Sequence, residues 1–256
     1  MGHVEWVEFA RVPAMPAAGA IVHADDVWQE PAGGGAVVAR QLARLAGRCE
    51  LFTALGDDDL GRRSEQLLAE LGIDVHVQRF GETRRAWVHV DAVGERTITV
   101  LGDKLLPRGP LPLKGYDAVF FVAGDVAALR SARAARFLAA TFRELPTLRE
   151  GGVPLDLLVG SAADPGEHDD GSVEAKTRVR TDGEAGGVAD GVSFAAAPLP
   201  GPVVDAYGAG DSFAAALCFG LARGDELDRA LALGARAGAA VLTGQGPYSA
   251  QITLGG

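Results

Sequence analysis

Apolar side chains follow two alternating spacings along this chain. Helical spacing runs from Val38 to Leu45 and again from Leu67 to Leu71, and a glycine soon follows each run. Short apolar runs of strand length lie around these helices, at 51–55, 119–122, 155–159 and 203–204. This alternation predicts an α/β fold, in which helices cover both faces of a mostly parallel sheet.

Two segments depart from that alternation. Residues 86–91 and 96–100 alternate between apolar and polar side chains around Gly94, which predicts a β-hairpin rather than a strand followed by a helix. Residues 2–9 predict the end of a first core strand, one that further apolar residues are expected to precede.

The C-terminal part is rich in alanine and leucine. It predicts a helix from Ser212 to Arg223 that ends at Gly224, and then a helix up to Leu242 with Asp225 as its N-cap. The strand-to-helix connection before Ser212 is therefore placed at one edge of the predicted sheet.

Composition narrows the class of protein. The 256 residues suit one domain, 1–256. Hydrophobic residues make up 48%, and no apolar run reaches the roughly 20 residues of a membrane helix. The formal net charge is −10 and no dense basic stripe is present, which argues against nucleic acid as a partner and leaves a small molecule. Cys49 and Cys218 form no disulfide framework, which predicts the cytoplasm.

The run from Val204 to Phe213 carries the clearest chemistry. Gly208 and Gly210 let successive backbone amides converge at the start of a helix, where an anion such as a phosphate can bind. Asp211 follows directly and could take a proton from an attacking hydroxyl. The alternative is a tight strand-to-helix connection in which Asp211 is only the N-cap. The five histidines show no metal-ligand spacing and are interpreted as structural or surface residues: His3, His23, His76, His89 and His168.

Four separated motifs resemble the ribokinase-like sugar kinases, the phosphofructokinase-B family. The run 205–211 resembles the family's Asp-Thr-x-Gly-Ala-Gly-Asp, with Ala206 in place of threonine. The glycines 33–35, the run 55–61 and the loop 181–186 resemble its other motifs, in family order. The resemblance covers nearly the whole chain.

The resemblance implies an architecture and a reaction. It implies a three-layer αβα sandwich with a mostly parallel central sheet and a small β-sheet lid, formed by about 9–30 and 84–101, through which family members often dimerise. It also implies ATP and Mg²⁺ as cofactors. The reaction would transfer a γ-phosphoryl group, with the amides of Gly208, Ala209 and Gly210 stabilising charge and Asp211 as the base.

The resemblance also implies positions for nucleotide and metals. Thr181 and Gly183 would approach the ATP phosphates and ribose, and the small residues beside the adenine would be Ala235, Ala239 and Ala240. Asp164 would hold Mg²⁺ through water, although Ser161 stands where the family has asparagine, and a turn aspartate is the alternative. A monovalent cation, K⁺, would lie near Asp205, Tyr207 and Gly246. The alternative there is an aspartate that binds its own loop.

The residues predicted to bind the phosphoryl acceptor differ most from those of the family. Gly33, Gly34 and Gly35 match the sugar-side motif, but Val7 and Val37 stand where family members have aspartate and asparagine. Burying sugar hydroxyls beside valine would leave them unpaired, so the acceptor is not expected to be held like ribose. Polar candidates nearby are Glu5, Asp25, Asp26 and Arg84.

The sequence therefore predicts an ATP-dependent kinase that phosphorylates a hydroxymethyl group of a sugar or sugar-like molecule. A nucleoside kinase of the same family is the first alternative. A catalytically silent relative that binds a metabolite and regulates a partner is the second, and the departures at Val7, Val37 and Ser161 favour it.

Overall fold

A computed structural model describes residues 1–255 of the protein, which contain twelve strands and six α-helices. The strands are β1 (Glu5–Arg11), β2 (Asp26–Ala32), β3 (Glu50–Leu55), β4 (Asp74–Arg79), β5 (Arg85–Val90), β6 (Arg96–Leu101), β7 (Ala118–Phe121), β8 (Phe137–Thr141), β9 (Leu155–Ser161), β10 (Ala175–Thr181), β11 (Gly187–Ala189) and β12 (Val192–Phe194). The helices are α1 (Gly34–Ala46), α2 (Asp59–Glu70), α3 (Val126–Ala132), α4 (Leu145–Gly151), α5 (Ala209–Ala222) and α6 (Leu227–Val241).

One mixed sheet forms the centre of the protein. Strands pair in the order β12-β11-β10-β9-β8-β7, with β7 to β10 parallel, and β3 pairs with β4 in parallel. The first residues of the chain join these two parts. The amide of Gly2 donates to the carbonyl of Phe52 at 3.1 Å, and the amide of Val122 donates to the carbonyl of Met1 at 3.0 Å. Hydrogen bonding therefore continues from β4 through residues 1–2 to β12.

Successive residues of β7 show why helices cover both faces. Phe120 packs in a cluster with Val38 of α1 and Phe213 of α5. Phe121 points the other way and packs with Leu129 of α3 and Leu148 of α4. Because strand side chains alternate between faces, an apolar run such as 118–121 needs a helical layer on each side. Burying each phenylalanine contributes roughly 1.5–3 kcal/mol.

Four strands form a separate smaller sheet in the order β2-β1-β5-β6, which we call the lid sheet. β5 and β6 form the predicted antiparallel hairpin, with Gly94 at φ 83° in its turn. The turn contacts the segment before α5, because the amide of Ala206 donates to the carbonyl of Gly94 at 2.9 Å. Arg11 of β1 also donates to the carbonyl of Val204, at 3.1 Å. The lid sheet is thus tied to the chain that leads into Gly208.

Three predictions at the level of elements were wrong. Residues 203–204 form no strand, because they run between α6 and the lid hairpin, where Val204 N donates to the carbonyl of Leu242 at 2.7 Å. Most of the predicted first core strand belongs to β1 of the lid sheet. The residue before α6 is Glu226, while Asp225 forms an ion pair with Arg223 at 2.6 Å.

Candidate active site

The start of α5 offers unused backbone donors. Gly208 precedes the helix at φ 83°, a left-handed conformation that glycine adopts readily. A methyl group there would lie 3.0 Å from both Val37 and Pro247, whereas one on Gly210 would meet no atom within 4 Å. No side chain within residues 1–255 caps the helix. The first amides of α5 are therefore left for water or an anion.

Asp211 lies in the first turn of α5, beside the glycines of residues 33–35. A methyl group on Gly34 would come within 3.1 Å of its Oδ1 and within 2.8 Å of Val122. The N-cap is Gly208, so the alternative of Asp211 as N-cap was wrong. Burial, followed by the charge of Glu167, raises the pKa of Asp211 to about 6. Burial thus outweighs the stabilisation that helix amides give to an ionised carboxylate, although Asp211 is still mostly ionised at pH 7.

The glycines at 33–35 bring the start of α1 against the first residues of the chain. The amide of Gly33 donates to the hydroxyl of Tyr207 at 3.2 Å. The amide of Gly35 donates to the carbonyl of His3 at 3.1 Å, and a methyl group on Gly35 would lie 2.7 Å from that oxygen. The close approach requires glycine at 35, and the glycine at 34 leaves room in front of Asp211.

Glu5 and Arg84 face each other next to these glycines. Glu5 is 6% exposed, and its Oε2 lies 3.3 Å from the Nε of Arg84. Burial raises the pKa of Glu5, and the Arg84 charge opposes that rise. Val7 and Val37 are fully buried in an apolar cluster and offer no polar contact. Polar recognition at this place can therefore come from the Glu5–Arg84 pair.

His3 packs against the glycines of residues 33 and 34, and its interpretation as a structural residue stays a prediction. A methyl group on Gly33 would lie 3.1 Å from its Cδ2, and one on Gly34 would lie 3.6 Å from its Cε1. Burial, followed by the charges of Lys104 and Arg84, lowers the pKa of His3 to about 3, so the imidazole is neutral.

His76 lies near the amino end of β4, whereas Asp211 lies near Val122, just beyond the carboxyl end of β7. Its Nε2 is 2.8 Å from Glu50 Oε2, and with Asp74 these residues place one possible ligand atom each within 4.8 Å of the others. All three are exposed. Sequence spacing did not reveal this group, because its members come together only through the pairing of β3 with β4.

Within the run 55–61, Asp58 links the start of α2 to the backbone just before Arg84. Asp58 accepts a hydrogen bond from the amide of Gly61 at 2.7 Å and caps α2. It also accepts from the amide of Thr83 at 2.7 Å and from the Thr83 hydroxyl at 2.6 Å. Although burial opposes the shift, hydrogen bonds from Thr83 lower the pKa of Asp58. Asp58 is thus a positioning residue for Arg84.

Replacing Asp58 by alanine is expected to destabilise the protein by about 2–4 kcal/mol, because a helix cap and charge-assisted hydrogen bonds are lost together. Urea unfolding would measure the change. Asp57→Ala is the matched control, since Asp57 is 74% exposed in its ion pair with Arg62 and should cost less than about 1 kcal/mol. Equal unfolding midpoints for the two variants would show that the hydrogen bonds of Asp58 do not stabilise the fold.

Asp205 is fully buried between two backbone amides. Its Oδ1 accepts from Tyr207 N at 2.9 Å, and its Oδ2 accepts from Gly246 N at 3.0 Å. The bond from Tyr207 fits the alternative of an aspartate that binds its own loop, whereas the bond from Gly246 joins Asp205 to the segment after α6. Glu30 of the lid sheet approaches the same glycine, since a methyl group on Gly246 would lie within 2.3 Å of Glu30 Oε1. Burial raises the pKa of Glu30 to about 7, and Trp28 donates to it at 3.1 Å.

Asp164 caps a short 3₁₀ turn and forms an ion pair with Arg143. Arg143 also lies 3.4 Å from Glu167, whose other oxygen accepts from Ser161 N at 2.6 Å. Sequence reasoning missed Arg143 and Glu167, which come from two different loops at the carboxyl end of β8 and β9. Glu167 is the charged neighbour that most raises the pKa of Asp211.

The residues predicted for the nucleotide lie at the end of β10, in the turn that follows it and in α6. Thr181 ends β10, and Gly183 begins a 3₁₀ turn at φ 52°. Ala239 is buried and Ala240 half-buried in α6, as is Ala235. A methyl group on Gly238 would lie 3.2 Å from the carbonyl of Ala209. Small residues on α6 thus also permit its close packing on α5.

None of the helices within residues 1–255 has both the length and the apolar character that a membrane crossing requires.

Comparison with known proteins places these features in a wider group. Residues 2–142 and 167–254 match the sequence model of the pfkB family carbohydrate kinases. The chain is 32% identical to a fructoselysine 6-kinase of Escherichia coli (strain K12) over 240 residues, which are 84% of this chain and 91% of that protein. It is 35% identical to a fructokinase of Klebsiella pneumoniae over 100 residues, 38% of this chain and only 32% of the fructokinase's length.

Solved structures show the same architecture. A nucleoside kinase of Methanocaldococcus jannaschii, an archaeal member of the ribokinase family, superposes with a TM-score of 0.77 at 18% identity, covering 98% of this chain and 93% of that chain. A ribokinase from Cryptococcus neoformans var. grubii serotype A in complex with ADP gives 0.74 at 22% identity, covering 99% and 95%. These likenesses confirm the predicted layered fold with its small additional sheet.

Proposed function

The chain belongs to the pfkB family of carbohydrate kinases, and on that basis we propose that it transfers the γ-phosphoryl group of ATP to a hydroxymethyl group of a sugar or sugar-like small molecule. The membership confirms the family resemblance predicted from the sequence. One observation carries the proposal: the Asp211 carboxylate faces Gly34 beside the uncapped first amides of α5. A base and an anion site thus lie together, as phosphoryl transfer requires.

The roles of the chain's own residues follow from that arrangement. The amides of Gly208, Ala209 and Gly210 stabilise charge on the transferred phosphoryl group. Asp211 accepts the proton of the acceptor hydroxyl, and a pKa of about 6 makes it a stronger base than an ordinary aspartate. Thr181 and Gly183 approach the ATP phosphates and ribose, with Ala239 and Ala240 beside the adenine. Acceptor contacts come from Gly33, Gly34, Gly35, Glu5 and Arg84.

Two cation sites complete the proposal. Bound Mg²⁺ would neutralise charge on the ATP phosphates. Asp164 is its candidate ligand through water, with Glu167 beside it, and oxygen donors of this kind suit Mg²⁺. K⁺ would lie near Asp205, Tyr207 and Gly246, where the buried Asp205 carboxylate has no ion-pair partner within residues 1–255.

We also propose a single domain over 1–256, a cytoplasmic location and a homodimer formed through the lid sheet. Val27 is 69% exposed and Trp87 46% exposed, and both lie on the face of the lid sheet away from Phe9. An exposed apolar face of this kind suits contact with a second copy.

Release of ADP in the presence of Mg²⁺ tests the proposed function. The acceptor panel is D-fructose, fructoselysine, D-ribose and adenosine, because similar proteins act on fructose, fructoselysine and nucleosides. Selective turnover of adenosine would favour the nucleoside kinase. Binding of an acceptor without any ADP release would favour the silent metabolite-binding relative, against which the intact run 208–211 argues.

The pH dependence of the reaction is expected to report Asp211. Because the base must be ionised and its pKa is raised to about 6, kcat/KM should fall about tenfold per pH unit below pH 6 and level off above it. Glu167→Gln removes the neighbouring charge that raises this pKa most, so its acid limb should move to lower pH. A pH profile for each protein measures this, and an unmoved limb in the variant would contradict the assignment.

A further inference from the structure

Three side chains at the beginning of two neighbouring strands form a group of possible metal ligands. They are Glu50 of β3 and Asp74 and His76 of β4, and one ligand atom of each lies within 4.8 Å of the others. The register of the parallel pair brings them together, because Glu50 pairs with Asp74 and Phe52 pairs with His76. Side chains two residues apart on a strand share a face, so the imidazole and both carboxylates lie on one face of the sheet.

The imidazole of His76 is held by aromatic packing. Its ring stacks on the ring of Phe52, with centroids 4.5 Å apart and an interplanar angle of 11°. Phe52 is itself buried, and the ring of Tyr116 packs edge-on against it at 6.1 Å. In this position His76 Nε2 lies 2.8 Å from Glu50 Oε2. The ring nitrogen that a metal would use is therefore already directed at a carboxylate.

The carboxylate of Glu50 is oriented by a partner outside the group. The hydroxyl of Tyr116 donates to Glu50 Oε2, and this hydrogen bond is the main cause that lowers the pKa of Glu50. Glu50 is therefore ionised at neutral pH. Hydrogen bonds to the ligands of a metal fix their orientation and raise metal affinity, so Tyr116 is placed as a positioning residue for Glu50.

The charges of this group favour a bound cation. Glu50 and Asp74 carry like charges on directly paired residues, an arrangement that destabilises a sheet. Within residues 1–255 Asp74 forms no ion pair, and the ion pair of Glu50 is with His76, which is charged only when protonated. The charge of Arg48 also acts on Glu50. A dication between the two carboxylates would remove their repulsion.

The donor set indicates which cation fits. Imidazole nitrogen suits Zn²⁺ and similar transition metals, whereas Mg²⁺ and Ca²⁺ prefer oxygen ligands alone. Bonds of about 2.0–2.2 Å to a tetrahedral Zn²⁺ place its ligand atoms about 3.3–3.6 Å apart. The spacings of the group, 2.8 Å between Nε2 and Oε2 and at most 4.8 Å overall, need only small side-chain rotations to match. All three side chains are exposed, so water can fill the fourth position.

We propose that Glu50, Asp74 and His76 bind Zn²⁺ at the beginning of β3 and β4. The neutral imidazole binds through Nε2 and carries its proton on Nδ1, and the ion replaces the contact between Nε2 and Glu50. Because its ligands come from both strands, the ion holds β3 to β4 and stabilises the folded chain. It takes no part in phosphoryl transfer, since Asp211 lies near Val122, beyond the carboxyl end of β7.

Titration of the EDTA-stripped protein with ZnCl₂ tests the proposal. No nucleotide or acceptor is present, so the result does not depend on the proposed kinase reaction. Isothermal calorimetry should show one Zn²⁺ bound per chain, and excess Mg²⁺ should not displace it. Zn²⁺ at about 100 times its dissociation constant should raise the melting temperature by about 5–10 °C, because the ligands come together only in the folded chain.

Variants assign the binding to this group. His76→Gln should weaken Zn²⁺ binding about 100-fold and Asp74→Asn about tenfold, because each removes one of three ligands. Tyr116→Phe should weaken it about tenfold although every ligand remains. Arg48→Met should strengthen it, because a positive charge near Glu50 is lost. His23→Gln is the matched control and should change nothing, since His23 is exposed and belongs to no such group within residues 1–255.

Three results would overturn the inference and leave the proposed kinase untouched. Wild-type protein that binds no Zn²⁺ saturably would show that the group is only an ion pair. Equal Zn²⁺ affinity in the wild type and in His76→Gln would place the ion elsewhere on the chain. Displacement of Zn²⁺ by Mg²⁺ would mean that the imidazole is not a ligand. Urea unfolding without metal checks that the exposed substitution His76→Gln leaves the chain folded.

Discussion

Replacing Asp211 by asparagine is expected to lower kcat by about 10²–10⁴-fold, the usual contribution of a general base. Asparagine keeps the shape of the side chain but cannot accept the proton that the acceptor hydroxyl loses. ADP release with the best acceptor of the panel measures the loss. Nucleotide binding should be nearly unchanged, since the backbone amides at 208–210 do not depend on the carboxylate, and a thermal shift with ADP checks this.

The same variant should not be less stable than the wild type. The folded-state pKa of Asp211 is raised to about 6, so the folded protein holds its proton more tightly than the unfolded chain does. Stability from this group is therefore present at low pH and lost as pH rises toward 6, and ionised Asp211 costs up to about 3 kcal/mol at pH 7. Asp211→Asn removes that cost, and its melting temperature at pH 7 should rise. Full activity in a stable variant would remove Asp211 from the mechanism.

The sequence predicted the start of α5 and its glycines because both have local causes. A left-handed residue before a helix favours glycine, and apolar spacing marks the helix that follows. The hairpin of β5 and β6 was predicted for the same reason, since its alternation and its turn lie within one short segment. Such features need no knowledge of which distant elements meet.

The titration of Asp211 could not be predicted in this way. Its pKa is raised by burial and by the charge of Glu167, and both causes depend on elements far from it in sequence, such as the start of α1, which lies against its carboxylate. The same holds for Asp164, which finds Arg143 on a loop 21 residues earlier. The sequence shows these carboxylates, but the sign and partner of each charge depend on the packing of separate elements.

The sequence also did not show which of the two sheets the first strand joins. Residues 2–9 have the apolar character of a core strand, yet only the first few join the central sheet, and β1 continues in the lid sheet. Periodicity indicates that a strand forms, and not which sheet it joins. The consequence for function is direct, because this crossing from one sheet to the other places His3 and Glu5 beside Gly33 and Gly34.

Gly210 allows a test in which function and folding separate. Its backbone is not left-handed, it lies in the first turn of α5, and a methyl group there would meet no atom within 4 Å. Nothing in the fold within residues 1–255 therefore requires glycine at this position. Gly210→Ala should leave stability unchanged or raise it by up to about 1 kcal/mol through helix propensity.

Its activity should nevertheless fall by about 10²-fold, the scale expected when donors to a developing negative charge are obstructed. The methyl group would stand in the open space in front of the first α5 amides, where the transferred phosphoryl group must approach. Gly208→Ala is the matched comparison, because its φ of 83° and its 3.0 Å contacts with Val37 and Pro247 should cost about 1–3 kcal/mol of stability as well. Urea unfolding and ADP release on both variants separate the two effects. If Gly210→Ala keeps the wild-type kcat/KM, the phosphoryl group does not bind at this turn. A methyl group at residue 210 can be harmless to the reaction only if no substrate group approaches these amides.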